Sequence, residues 1–140
     1  MFWWEPRFRI ISSVEQTKRR ILIVDHNMLL REGLCSLVHL QPDMELVGVA
    51  RSAKEAVLLF CEHRPEVVLM DLDLPGVDGI RSIREMRELD SSVCILGLLT
   101  HPGDERAVSA LSAGARGYIA KDRLNHDLVM RIRECLYPGA

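Results

Sequence analysis

Five times along this chain, a short apolar run of strand character is followed by a segment with helical hydrophobic spacing. The runs are Ile21–Asp25, Glu45–Ala50, Val67–Asp71, Val93–Leu99 and Gly117–Ala120. Between the first two, Met28–Leu40 carries Leu30, Leu34, Leu37 and Val38 at helical spacing, and Pro42-Asp43 breaks it. Ser52, with Glu55 three residues later, forms a capping-box signature for a helix that runs to about His63 and stops before Pro65. Gly79–Leu89 predicts a polar, arginine-rich helix. Asp104–Ala113 predicts a helix closed by Gly114, and Leu124–Leu136 predicts the last one. Such alternation specifies an α/β fold with a parallel sheet covered on both faces. Right-handed crossovers reduce it to a doubly wound five-stranded sheet with five helices, and 2-1-3-4-5 is one of its two common strand orders.

That order places strands 1 and 3 side by side and strand 5 at an edge. Asp25, Asp71 and Lys121 then stand at the carboxyl ends of strands 1, 3 and 5. Open α/β sheets place their ligands at this edge. Asp71 is the most pointed of the three, since it ends an apolar strand and opens the turn-rich Leu72-Asp73-Leu74-Pro75-Gly76-Val77-Asp78-Gly79. Lys121 stands out by rarity. Only three of the eighteen basic residues are lysines, and Lys18 and Lys54 fall on an arm and an exposed helix turn.

A chain of 140 residues fits one domain, expected over 19–137, with 1–18 as an N-terminal arm and 138–140 as the start of a linker or tail. The arm, with Phe2, Trp3, Trp4 and Phe8, is read either as loose or packed chain or as an aromatic contact with a partner or second subunit. A net charge of −2 gives no general attraction to nucleic acid. Cys35, Cys61, Cys94 and Cys135 are scattered without a CxxC pair, so neither a disulfide framework nor a zinc site is expected, and a reduced cytoplasmic setting is. No apolar run approaches the ~20 residues that span a bilayer.

Three stretches, ILIVDHNMLLREGL, PEVVLMDLDLPGVDGI and ALSAGARGYIAKD, resemble the receiver domain of two-component response regulators. The first and last are similar to the NarL/FixJ, or LuxR-type, transcriptional regulators. The likeness covers about Arg19 to Leu136, and the fifty-residue step from Asp71 to Lys121 agrees with it. It implies phosphoryl transfer from a sensor histidine kinase to Asp71. It implies a Mg²⁺ held by acids after strand 1, by Asp71 and by the backbone carbonyl of Asp73. Lys121 would contact the phosphoryl oxygens, a Ser or Thr ending strand 4 would hydrogen-bond them, and Tyr118 would be the aromatic switch. These parts stabilise spread negative charge with fixed cations and donors.

Two positions depart from the pattern. Asp25 matches the first acid of the metal pair, but His26 stands at the second. Mg²⁺ prefers oxygen ligands, so its binding is expected to be weakened or absent. Three readings of His26 stay open: a solvent-facing ring beside a degraded site, a protonated ring standing in for the metal charge, or a ligand for a softer metal such as Zn²⁺ or Mn²⁺. Leu99 occupies the switch position and cannot donate a hydrogen bond. Thr100 follows it, and a one-residue bulge permitted by Gly97 would bring that hydroxyl into place. Tyr118 is then read as locked or as a plain buried aromatic. Asp73 is read as a turn former, with a side-chain role as the alternative.

The expected function is a receiver, from a transcriptional regulator, with impaired or non-canonical phosphorylation at Asp71. The alternative is a conventional Mg²⁺-dependent phosphoacceptor. At most such a domain catalyses its own aspartyl phosphorylation and dephosphorylation. A homodimer is plausible, and the resemblance implies DNA contact only through a helix-turn-helix domain absent from this chain. Asp71-Leu72-Asp73 also resembles the haloacid dehalogenase phosphatase motif, but that motif opens its domain and needs a later acidic pair missing here.

Overall fold

The structure, a computed structural model, describes residues 17–75, 78–101 and 103–139. Most of the expected N-terminal arm, together with Gly76, Val77 and Pro102, lies outside the described residues. The elements are β1 (Arg19–Val24), α1 (Met28–His39), β2 (Met44–Ala50), α2 (Ala53–His63), β3 (Val67–Asp71), α3 (Asp78–Leu89), β4 (Cys94–Leu99), α4 (Glu105–Ala113), β5 (Gly117–Ala120) and α5 (Leu124–Leu136). One 3₁₀ turn, Lys121–Arg123, joins β5 to α5. The sheet is parallel and its order is β2-β1-β3-β4-β5, as the alternation of periods predicts.

Each strand alternates its side chains between two apolar layers. Ile21, Ile23, Val67, Leu69, Leu96, Leu98 and Ile119 face α1 and α5, meeting Leu34, Val38, Leu128 and Ile132. Leu22, Val24, Val68, Met70, Ile95 and Leu99 face the other way, toward Ala56, Phe60, Ile83, Met86, Ala107 and Ala110 of α2, α3 and α4. Both layers are buried, which is why the strands read as continuous apolar runs.

Local signals act as expected at the helix ends. Asn27 caps α1 by accepting from the Leu30 N–H at 3.0 Å. The Ser52 hydroxyl accepts from the Glu55 N–H at 3.2 Å, while the Glu55 carboxylate reaches back to the Arg51 N–H rather than to that of Ser52. Gly114 closes α4 with φ of 121°, a conformation that favours glycine.

The bulge that Gly97 would permit in β4 is absent. Its pairing with β3 and β5 runs without a register shift from Cys94 to Leu99. Gly97 serves packing instead: a Cβ there would stand 2.6 Å from Leu72 Cδ1. The register shift in the sheet lies between Ile21 and Leu22, where β1 meets β2.

The scattered cysteines are not all apart. Cys94, opening β4, and Cys135, in the last turn of α5, are joined as a disulfide with Cα atoms 6.1 Å apart. The expectation of no disulfide rested on spacing, and 41 residues separate this pair. Only the docking of α5 beside β4 brings them together. Cys35 and Cys61 are free thiols.

Candidate functional site

The carboxyl edge of the sheet gathers the expected groups. Asp25 follows β1, Asp71 ends β3 and Lys121 follows β5, so three strand ends deliver two acids and one ammonium to the same point. Asp25 and Asp71 are the buried acids among the described residues, each at 0% exposure. Buried carboxylates need partners, and Asp71 has four. Its Oδ1 accepts from Lys121 Nζ and from the Asp73 N–H, each at 2.8 Å. Its Oδ2 faces His26, with Nδ1 at 2.5 Å and the backbone N–H at 3.4 Å. An ionised carboxylate only accepts, so this contact requires the His26 proton on Nδ1 when Asp71 is charged.

This geometry sets the His26 ring between solvent and Asp71. The ring is 45% exposed, yet its inner nitrogen is held against Asp71. Asn27 opens α1 immediately after, and its N–H binds Asp25 Oδ1 at 2.8 Å, which turns the loop inward.

Asp25 is satisfied on one oxygen only. Oδ2 is buried without a hydrogen-bond partner, and Lys121 Nζ lies 3.9 Å away. Burial pushes the Asp25 carboxyl above its usual range, the Asn27 N–H opposes this, and the Asp71 charge adds to the rise. One oxygen or nitrogen from each of Asp25, His26 and Asp71 falls within 4.8 Å of the others, a spacing that suits a divalent cation. The unpartnered Asp25 Oδ2 is the atom such a cation would satisfy.

Asp73 proves more than a turn former. Its Oδ2 accepts from the Thr100 hydroxyl at 2.6 Å and the Thr100 N–H at 3.1 Å, and Lys121 Nζ lies 3.0 Å away. Its Oδ1 lies 3.3 Å from an Arg106 guanidinium nitrogen. Partial burial acts to raise the Asp73 pKa, but the Thr100 and Lys121 hydrogen bonds overcome it and hold the group below its ordinary value. Lys121 is likewise partly buried, which alone would lower its pKa, but bonds to Asp71 and Asp73 raise it. Arg106 also donates to the Leu72 carbonyl at 3.2 Å and pairs with Asp104 at 2.7 Å.

Thr100 therefore reaches the cluster without a bulge. β4 ends at Leu99, so the next residue is released from strand alternation. Leu99 is fully buried in the layer against which Tyr118 packs. Sequence reasoning missed Arg106 altogether. Its position in the first turn of α4, just after the Asp104 cap, was the available signal.

The sequence profile described as the response regulator receiver domain matches residues 21–133. The nitrate/nitrite response regulator NarL of Escherichia coli is 31% identical over 121 residues, covering 85% of this chain and 55% of that protein. The transcriptional regulatory protein DegU of Brevibacillus brevis is 29% identical, covering 92% of this chain and 55% of its own length. This chain thus spans about half the length of these curated relatives. Among solved structures, a LuxR-family two-component response regulator from Aurantimonas superposes with a TM-score of 0.79 at 38% identity, covering 85% of each chain. The response regulator domain of Thermotoga maritima CheB gives 0.76 at 26% identity, covering 88% of this chain and 99% of that one. The chain belongs to the response regulator receiver domain family, among relatives of the NarL/LuxR kind.

Proposed function

We propose that this receiver takes a phosphoryl group on Asp71 poorly, with weakened dependence on Mg²⁺, and signals through a modified site. The observation that carries the reading is the 2.5 Å contact between His26 Nδ1 and Asp71 Oδ2. In-line attack on a phosphoryl donor needs a free carboxylate oxygen. Here one Asp71 oxygen is engaged by Lys121 and the Asp73 N–H, and the other by the imidazole.

Asp25, Asp71 and the Asp73 carbonyl are the groups that would hold a divalent cation, and His26 would join them as a nitrogen donor only on giving up its Nδ1 proton. A bound cation would supply charge neutralisation between the carboxylate and the incoming phosphoryl group. The mixed donor set suits an ion that accepts imidazole better than it suits Mg²⁺. Lys121 would take the phosphoryl oxygens as a fixed positive charge. The Asp73 carboxylate competes for that ammonium and for the Thr100 hydroxyl. Thr100 would thus act as a displaced switch hydroxyl whose resting partner is Asp73, while Leu99 keeps Tyr118 against an apolar wall.

The phosphoryl donor in this reading is a sensor histidine kinase. The regulated output in this reading belongs to a DNA-binding domain distinct from the receiver, and a cytoplasmic setting and a homodimer fit the same reading. A conventional Mg²⁺-dependent phosphoacceptor is the second reading, favoured by the unpartnered Asp25 Oδ2 and the well-placed Lys121.

Intact mass after incubation with acetyl phosphate separates the two, over a range of Mg²⁺ concentrations and alongside Asp71→Asn. Slow or absent gain of one phosphoryl group at millimolar Mg²⁺ supports the impaired site. Rapid, Mg²⁺-dependent gain that is lost in Asp71→Asn supports the conventional one.

A further inference from the structure

At the opposite, amino edge of the sheet, the Cys94–Cys135 pair lies in the wall of a groove of about 800 Å³. Five arginines line this groove, Arg19, Arg20, Arg64, Arg87 and Arg116, against two acids, Glu66 and Asp90. Five guanidinium groups against two carboxylates leave the lining net positive. Arg19 pairs with Glu66 at 2.9 Å. Arg20 also lies 3.9 Å from Glu66, and Arg20, Arg64 and Arg87 donate to the carbonyls of Arg64, Leu89 and Val93, which orients their guanidinium groups. The exposed Arg116 is held through its backbone N–H, which donates to the Ile95 carbonyl at 2.8 Å.

Nearby cations favour the thiolate form of a cysteine, and the thiolate is the nucleophile in disulfide exchange. The same cations attract anionic reactants. Cys135 is the more exposed residue of the pair, being half-buried, whereas Cys94 is 8% exposed.

We propose that Cys94 and Cys135 form a reversible thiol–disulfide site that exchanges with small anionic disulfides held in this arginine-lined groove. Starting from the dithiol, the Cys135 thiolate attacks one sulfur of the small disulfide. A mixed disulfide forms and one small thiolate leaves. The Cys94 thiolate then attacks the Cys135 sulfur, forming the intramolecular bond and expelling the second small thiolate. The two cysteine protons pass through solvent to the two departing thiolates, so both cysteines are oxidised and the small disulfide is reduced to two thiols. The bond fastens the end of α5 to the start of β4 across 41 residues.

The test uses oxidised glutathione as the anionic probe and bis(2-hydroxyethyl) disulfide as the neutral one. The protein carries Cys35→Ser and Cys61→Ser, so that thiol counting reports the pair alone, and circular dichroism confirms the fold. The reduced protein is expected to lose both thiols to oxidised glutathione with no glutathione retained. Adding Cys94→Ser should trap one glutathione on Cys135. Adding Arg116→Glu should slow the glutathione reaction about tenfold and the neutral reaction much less. Two thiols that persist in the presence of both probes overturn the site. Equal slowing of both probes by Arg116→Glu, or no slowing of either, overturns the anionic recognition.

Discussion

Asp73 Oδ2 and the Thr100 hydroxyl are 2.6 Å apart, and Lys121 Nζ approaches the same carboxylate oxygen at 3.0 Å. The residue two positions after the proposed phosphoacceptor thus draws on two groups that a phosphoryl group would otherwise recruit. Asp73→Asn keeps the shape and removes the charge. It is expected to speed acetyl phosphate labelling of Asp71 about threefold to tenfold, by freeing Lys121. Labelling kinetics followed by intact mass check this.

The same carboxylate has a pH signature. Its pKa is held below the ordinary 3.8, so its stabilising contribution is complete above the unfolded value and is lost as pH falls through the lower folded value. Acid unfolding curves of Asp73→Asn should therefore be shallower than wild type below about pH 4, with the two converging at the acid end.

Asp25 has the opposite sign. Burial raises its pKa, so the folded state holds the proton more tightly than the unfolded one. Its ionisation costs stability, a cost absent below the unfolded value, growing up to the raised folded value and constant above it. Asp25→Asn is expected to stabilise the fold at neutral pH by about 1–2 kcal/mol, as active-site substitutions can. Urea denaturation at pH 7 measures it, and in the same variant phosphorylation should fall.

Gly97 packs where a methyl group would strike Leu72 Cδ1 at 2.6 Å and Cγ at 3.0 Å. Gly97→Ala is expected to destabilise by about 1–3 kcal/mol through overpacking. Because Leu72 links Asp71 to Asp73, the variant should also shift the amide resonances of both. Denaturant midpoints and a two-dimensional amide spectrum provide the check.

How much of this could be read from residues alone depended on how local the cause was. Strand ends are local, so the convergence of Asp25, Asp71 and Lys121 followed from period and order. Helix caps at Ser52 and Gly114 are local too. Thr100 was harder. Strand alternation argued against it, but alternation lapses where β4 stops at Leu99. Asp73 carries a short side chain in a turn, and nothing in the turn itself announces the Lys121 and Thr100 bonds that come from 48 and 27 residues away. Arg106 was hidden among many arginines, and its contact with Asp73 depends on how α4 meets the sheet. Cys94 and Cys135 are linked only through the docking of a terminal helix.

The central claim is that His26 weakens phosphoryl acceptance at Asp71. The most direct measurement is the rate of Asp71 labelling by acetyl phosphate as a function of Mg²⁺, for wild type and His26→Asp. Restoring the second acid should raise apparent Mg²⁺ affinity and labelling rate by about tenfold or more. Equal rates and equal Mg²⁺ dependence in the two proteins would contradict the account.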